Sequence, residues 1–244
     1  MAHPIKPAAT RGLRRFADVN LAIGVFSALL IAVLWLYVIT KHESKYRETV
    51  NAAFRQSSNL AIAYEEHIAR TMKGFDSALQ FMRHEYRRLG RDMDIAGYIA
   101  EGIIDGQLFS ILSVVDEHGD IVLSSKPFEP TNYADREFFR VHREGSADML
   151  HINRPVLGRV SGTWQVPMSR RISKPDGSFG GVVVLSVDPG YFARFYQKSD
   201  IGTQGLVTLV GLDGIVRARR VGNELSFDID MTRSSLLRER AERA

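Results

Sequence analysis

The chain has 244 residues, of which 25% are charged, and it carries a formal net charge of +4 at pH 7 with no cysteine. The lack of cysteine excludes disulfides and thiol chemistry, and it fits a bacterial periplasm as well as a reducing compartment. Residues 1–16 hold four basic residues and no acidic one, so the other 28 basic and 28 acidic residues cancel. The basic balance therefore does not indicate a nucleic-acid-binding surface, which needs a basic face on the folded part.

An apolar run, LAIGVFSALLIAVLWLYVIT, extends from Leu21 to Thr40 without a charged residue. At about 1.5 Å per residue, a helix of this length crosses the ~30 Å hydrocarbon core of a bilayer. Trp35 and Tyr37 lie near one end, as aromatic side chains at the headgroup layer do. A cleaved signal peptide and a buried core helix are the alternatives, but a signal peptide usually has an apolar part of only ~7–15 residues. We therefore predict a transmembrane helix at 17–40.

The charges on either side of this run predict its orientation. The amino-terminal flank contains Lys6, Arg11, Arg14 and Arg15. By the positive-inside rule, residues 1–16 form a cytoplasmic tail and everything after Thr40 lies outside the cytoplasm. The chain is thus predicted to be single-pass in a bacterial inner membrane, with the remainder periplasmic.

The next segment, 41–89, has the periodicity of a helix, because it lacks proline and its apolar residues recur at steps of three and four. The apolar stripe consists of Val50, Phe54, Ser57, Ala61, Tyr64, Ile68, Met72, Phe75, Leu79, Met82, Tyr86 and Leu89. One helix of this length would extend ~70 Å, which is more than a compact domain covers. We expect part of it to pack on a globular module and the rest to pair with a parallel helix of a second copy, which predicts a homodimer.

After Gly90 the pattern changes to short helices, strands and turns. Asp94 is placed to cap a helix that reaches about Asp105. The buried side of that helix would hold Ile95, Tyr98, Ile99 and Ile103. The stretch LFSILSVVDEHGDIVLSS then has the pattern of a β-hairpin, with its turn at 116–119.

The cluster NYADREFF (Asn132–Phe139) follows and opens a short helix, with Asp135 at the N-cap or first turn and the helix continuing over 136–143. Three more strands are expected, at Leu150–Leu157, Thr163–Ile172 and Phe179–Asp188, and Pro189 opens a last helix. This order predicts an α+β domain with an antiparallel five-stranded sheet flanked by helices, rather than a doubly wound one.

A second hairpin indicates an internal repeat. SVVDEHGDIVLSS and TLVGLDGIVRARR share a strand, a turn with an acid and a glycine, and an apolar strand. We predict a membrane-distal module at 90–198 and the start of a second, membrane-proximal module at 199–244, which is incomplete.

The combination of the long helix with ADREFFRVHR, INRPVLGRVSGTWQVPMSRRI and DGSFGGVVVLSVDPGYF resembles the extracellular Cache family. Specifically, it is similar to the PAS-like double-Cache (PDC) sensor regions of bacterial transmembrane histidine kinases and diguanylate cyclases. The likeness covers roughly Lys41–Arg220. It implies that the membrane-distal module binds a small ligand and that paired modules pass a signal through the membrane.

The resemblance also implies site residues. In the amino-acid-binding subset, an Arg-x-Trp-Tyr element holds the ligand carboxylate and a later aspartate holds its ammonium. Arg136, Phe138 and Phe139 occupy the first element here, and Asp188 is placed like the second. Both aromatics are Phe, and Thr131 stands where the subset has Tyr. The implied ligand is therefore an anionic or zwitterionic carboxylate that is not fixed as an amino acid.

The charge pattern agrees with an anionic ligand. Between Met149 and Arg171 there are four arginines and no acidic residue or lysine, namely Arg154, Arg159, Arg170 and Arg171. Arginine makes bidentate contacts to carboxylates and keeps its charge when partly buried. We nominate Arg154 and Arg171 as ligand contacts; the alternative is that these arginines are exposed or pair with Asp135 and Glu137. Trp164 either lines the pocket or packs in the core.

These observations predict the small-molecule sensing region of a signal-transduction receptor, the amino-terminal part of a histidine kinase of a two-component system or of a diguanylate cyclase. A stand-alone binding protein and a membrane-anchored periplasmic hydrolase are the alternatives. The sequence has no zinc-protease, nucleophile-elbow or P-loop motif. We therefore expect no catalysis and no cofactor in this chain. His142 and His151, the one close histidine pair of the globular part, lack a third metal ligand.

Overall fold

The computed structural model describes residues 10–194, 204–235 and 237, without side chains for 10–23, 43 and 44. The chain divides into two compact units, Met1–Ala61 and Ile62–Ala244. One helix, α1, runs from Thr10 to Leu89. No proline interrupts it, because none occurs between Pro7 and Pro127. It ends at Leu89, and the following Gly90 has a φ of 61°, the left-handed conformation that commonly terminates helices.

In the first unit, α1 carries the apolar run. It is long and apolar enough to cross a membrane, judged by length and composition. From Gly24 onward the apolar side chains of this run are exposed, Trp35 among them, and Phe54 further along is 72% exposed. The predicted segments 17–40 and 41–89 thus belong to one continuous helix. Residues 1–9 of the predicted tail lie outside the described residues, and the orientation and the homodimer remain predictions.

In the second unit, the apolar stripe of α1 is buried or half-buried from Tyr64 onward. Phe75, Leu79 and Met82 are almost fully enclosed and belong to the larger hydrophobic core. The expectation that part of this stripe serves a globular module is therefore confirmed.

The module is an α+β domain built on one antiparallel sheet, as predicted. Its strands are β1 (Ile111–Val115), β2 (Ile121–Ser124), β3 (His151–Ile152), β4 (Val156–Leu157), β5 (Trp164–Ser173) and β6 (Phe179–Val187). The order is β2-β1-β6-β5, with β3 and β4 both paired to the outer edge of β5. The third predicted strand, Leu150–Leu157, is thus split in two. Pro155 lies in the interruption and lacks the N–H that a continuous ladder needs.

Both faces of the sheet are covered, which explains why the central strands are buried on both sides rather than alternating. On one face, Leu112, Met168 and Leu185 pack against α1 in the larger core. On the other face, Val115, Val182 and Val184 pack with residues of α3 (Glu137–Glu144) in a smaller cluster.

The helix after α1 is shorter than predicted. A 3₁₀ turn, Gly90–Asp92, precedes α2 (Ile95–Ala100). Asp94 caps α2 as predicted, since its carboxylate accepts the Gly97 N–H at 2.9 Å. The prediction that Ile103 is buried is wrong: it is 53% exposed and Ile104 is buried instead, because the helix ends before reaching either residue.

A second, three-stranded sheet follows α4 (Pro189–Arg194) and consists of β7 (Leu206–Val210), β8 (Val216–Val221) and β9 (Glu224–Ser226). Its first hairpin repeats the geometry of β1–β2. Gly119 and Gly214 both have positive φ in the turns, and both hairpins shift register at the end of the first strand. The predicted module boundary at 198/199 and the end of the helix opened by Pro189 lie outside the described residues.

Candidate functional site

A small pocket lies between the sheet and the start of α3. Strand β5 supplies Gln165 and Pro167, α3 supplies Phe138, and the segment after β4 supplies Gly158 and Arg159. The other lining residues are Ile111, Ser113, Tyr133, Arg136, Val156, Leu157, Val160, Ser161, Val184 and Ser186. The cavity has a volume of about 20 Å³, which is room for about one water molecule. It can therefore admit only a small ligand, and only if its walls yield.

Arg136 is one of two arginines that line this pocket. It is the N-cap residue of α3, and its Nη2 donates to the carbonyl oxygen of Leu157 at 3.0 Å. Among the described residues, no carboxylate forms an ion pair with it. A guanidinium has five N–H donors in a planar fork that fits a carboxylate. Arg136 thus retains hydrogen-bond donors at the pocket wall and has no ion-pair partner among the described residues.

The remaining arginines of the predicted anion site are already engaged. Arg159 also lines the pocket, but it forms a bidentate ion pair with Asp135 through two contacts of 2.7 Å. These bonds lower the pKa of Asp135 to about 2, so that carboxylate is ionised at neutral pH. Arg170 is on the opposite face of the sheet, where it pairs with Asp76 of α1 and with Asp148. Neither residue offers an uncompensated charge.

The role predicted for Asp135 as a cap is wrong. α3 begins at Glu137, its N-cap residue is Arg136, and no side chain caps it. The carboxylate of Asp135 does not reach a helix N–H; both of its oxygens instead accept hydrogen bonds from Arg159.

The two phenylalanines of the cluster have different surroundings. Phe138 lines the pocket and packs edge-on against Tyr133, with ring centroids 5.4 Å apart. Phe139 is fully buried and packs edge-on against Phe179 at 5.2 Å, outside the pocket lining. The structure therefore brings Phe138, but not Phe139, to the pocket with Arg136.

Arg154 and Arg171 lie away from the pocket. Arg154 donates from Nε and Nη2 to Asp228, beyond β9, at 3.0 and 2.7 Å. Arg171 is buried; it donates to the backbone carbonyls of His142 and Gly145 and lies over the Phe179 ring. It thereby holds the carboxyl end of α3, where a cation is favourable. Both nominated residues make structural contacts here.

Trp164 and Asp188 are also outside the pocket lining. Trp164 is 43% exposed and packs against Phe227 at 5.2 Å. Asp188 accepts the Gly190 N–H at 2.9 Å and pairs with Arg194 at 3.0 Å, which neutralises it at the start of α4. Of the predicted site residues, Arg136 and Phe138 line the pocket.

Sequence reasoning missed the polar residues of the sheet face. Ser113, Gln165 and Ser186 lie on three different strands and line the same pocket. The alternation of Gln165 with the buried Val166 was the available signal, because successive strand residues face opposite sides of a sheet.

The histidine pair has a structural environment. The rings of His142 and His151 are 6.2 Å apart, and His142 Nε2 is 3.0 Å from the hydroxyl of Ser169. Among the described residues there is no group of three potential metal ligands. Burial, with smaller contributions from His151, Arg171 and Arg170, lowers the pKa of His142 to about 4.

This shift predicts a loss of stability in mild acid. A depressed pKa in the folded state stabilises the protein fully above the unfolded pKa of about 6.5, and that contribution is lost as the pH falls toward 4. Between pH 7 and pH 5 the free energy of unfolding should decrease by about 2 kcal/mol through His142. In thermal and urea unfolding, the free energy of unfolding of His142→Gln should change less between pH 7 and pH 5 than that of wild type. The exposed control His84→Gln should keep the wild-type slope, and equal slopes for the two variants would contradict the assignment.

No family model matches the sequence, and no curated protein sequence matches it. Solved structures do. The extracellular domain of rpHK1S-Z16, a protein assigned as a histidine kinase, is 28% identical, with a TM-score of 0.67, over 76% of this chain and 77% of that one. An extracellular ligand-binding receptor from Desulfohalobium retbaense is 17% identical over 72% of this chain and 32% of its own, with a TM-score of 0.55. The ligand-binding domain of Mlp24, solved with asparagine, is 11% identical over 70% of this chain and 72% of its own, with a TM-score of 0.50.

Proposed function

Since the chain has the fold of the extracellular Cache-type sensor domains of bacterial receptors, we propose that it is the ligand-sensing region of a transmembrane signalling protein and that its ligand is a small carboxylate. The observation that carries the proposal is Arg136, which lines the pocket without a carboxylate partner among the described residues. A buried or half-buried charge is costly to leave unpaired, so a ligand anion is its natural complement.

The surroundings of Arg136 support the same ligand class. Phe138 and Tyr133 form an apolar wall, and the serines of the sheet face offer hydroxyl groups. Small-molecule sites commonly combine an apolar lining with a few polar groups that fix orientation. Arg159 forms an ion pair with Asp135, so Arg136 is the pocket arginine that is available to pair with a ligand anion.

The proposal places this region outside the cytoplasm, joined to the membrane through the apolar part of α1. The likeness to the extracellular domain of rpHK1S-Z16 supports a histidine kinase as the parent, with a diguanylate cyclase as the alternative output. The polypeptide described here would then bind its ligand without transforming it.

Replacement of Arg136 tests the proposal. A hydrogen bond to a charged group contributes roughly 1.5–3 kcal/mol, so Arg136→Ala should weaken carboxylate binding about 10- to 150-fold. The measurement is calorimetric titration of the full chain in lipid nanodiscs with propionate, pyruvate, succinate and L-alanine. Arg140 of the same helix is exposed and provides the matched control, since Arg140→Ala should leave affinity within about 2-fold. The proposal fails if wild type binds none of these acids, or if both variants bind like wild type.

A further inference from the structure

Gln165 is a buried residue of the pocket wall whose side-chain amide nitrogen lacks a hydrogen bond among the described residues. The residue is only 4% exposed, and it lines the pocket from the second position of strand β5. Its side-chain amide nitrogen is buried and has no hydrogen-bond acceptor among the described residues. Native proteins pair the great majority of their buried polar atoms, so an orphaned donor requires a specific explanation.

The backbone around Gln165 is arranged to accommodate its amide. Gly158 lies against the side chain: a Cβ added there would be 2.7 Å from Gln165 Oε1 and 2.4 Å from Ser161 Oγ. Val156 pairs with Gln165 across the β4–β5 ladder, and it also lines the pocket. Glycine thus provides the space that keeps the glutamine side chain at the pocket wall.

The charge of the lining restricts the ligand further. The described lining residues include Arg136 but no aspartate or glutamate. Asp188, the residue implied for an ammonium group, is engaged by the Gly190 N–H and by Arg194. An amino acid would therefore place its ammonium near a guanidinium without a compensating carboxylate, and like charges at close range are unfavourable.

We propose that Gln165 is a ligand-binding residue that donates to a second oxygen acceptor of the ligand, so that the pocket selects short keto or hydroxy acids over plain carboxylates and amino acids. This inference rests on the proposed carboxylate site and specifies its substrate class. The cavity of about 20 Å³ holds about one water molecule, so its walls must move apart for any acid, and the smallest acids require the least movement.

Three acids of matched size separate the contributions. Propionate has the carboxylate alone, pyruvate adds a keto oxygen, and L-alanine adds an ammonium. In calorimetric titrations of the full chain in nanodiscs, wild type should bind pyruvate about 3- to 10-fold more tightly than propionate. L-alanine should be the weakest of the three. In Gln165→Met the advantage of pyruvate over propionate should disappear, because methionine has similar volume and no donor.

The stability of the same variant distinguishes a ligand contact from a structural residue. Removing a donor that has no partner in the protein should leave the ligand-free Tm unchanged or raise it slightly. The control Gln107→Met changes an exposed glutamine outside the pocket and should retain the preference for pyruvate.

Several outcomes would overturn the inference. They are a Tm lowered by several degrees in Gln165→Met, a pyruvate preference that survives this substitution, and L-alanine binding as tightly as pyruvate. Equal affinities of wild type for propionate and pyruvate would refute the role of Gln165 and leave the carboxylate site standing. If none of the three acids binds, the carboxylate site itself is refuted, and the inference falls with it.

Discussion

Gly181→Ala is expected to lower the free energy of unfolding by about 3–5 kcal/mol, a large part of the stability of a typical domain. Gly181 has a φ of 117°, which residues with a side chain rarely adopt. A Cβ at this position would lie 2.1 Å from the carbonyl oxygen of Val115 and 2.9 Å from the backbone of Asp116. The neighbouring strand β1 cannot yield without breaking its pairing with β6.

The adjacent glycine provides the control. A Cβ at Gly180 would meet the flexible Lys174 side chain at 3.1 Å and the Ile172 carbonyl at 3.4 Å, and its φ is not positive. Gly180→Ala should therefore cost at most about 1 kcal/mol. Circular dichroism during thermal and urea unfolding of the full chain in nanodiscs measures both. Equal destabilisation of the two variants would show that the close approach at Gly181 is not what requires glycine.

Phe139→Ala should destabilise the domain by about 3–5 kcal/mol, the usual cost of deleting a fully buried aromatic ring. The ring has no exposed surface, packs edge-on against Phe179 and belongs to the cluster that joins α3 to the sheet. The substitution would leave a cavity beneath α3. Unfolding followed by tryptophan fluorescence and circular dichroism should show the loss.

Phe128 is a suitable comparison because it is 37% exposed and lies in the loop after β2. Phe128→Ala should cost less than about 1 kcal/mol. If Phe139→Ala is equally mild and instead weakens carboxylate binding as much as Arg136→Ala, then Phe139 contacts the ligand and its assignment to the core is wrong.

Much of the fold was predictable because it depends on local periodicity. The steps of three and four along α1, the glycine-containing turn at 116–119 and the cap at Asp94 each involve residues close in sequence. The interruption between β3 and β4 was not predicted, although Pro155 marks it. A proline interrupts a strand only where its missing N–H would have donated to a neighbouring strand, and the sequence does not show which strands are neighbours.

The site was predictable only in part, because charge pairing joins residues far apart in sequence. Arg170 meets Asp76 of α1, and Arg154 meets Asp228 beyond β9. A run of arginines without acids therefore looked like an anion site, while most of its members were already neutralised. The missing hydrogen bond of the Gln165 amide likewise depends on the three-dimensional surroundings, and no sequence pattern predicts it.

Strand β4 lies between the proposed ligand site and a contact with the residues that follow the second sheet. It pairs with β5 through only Val156 and Leu157, so few hydrogen bonds hold it. The carbonyl of Leu157 accepts one hydrogen bond from the guanidinium of Arg136, the group that would contact the proposed anion. On its other side, the same segment is attached through Arg154 to Asp228, next to the second sheet. If the proposed anion binds Arg136, it would compete with the backbone of β4, and a displacement of β4 would act on the ion pair between Arg154 and Asp228.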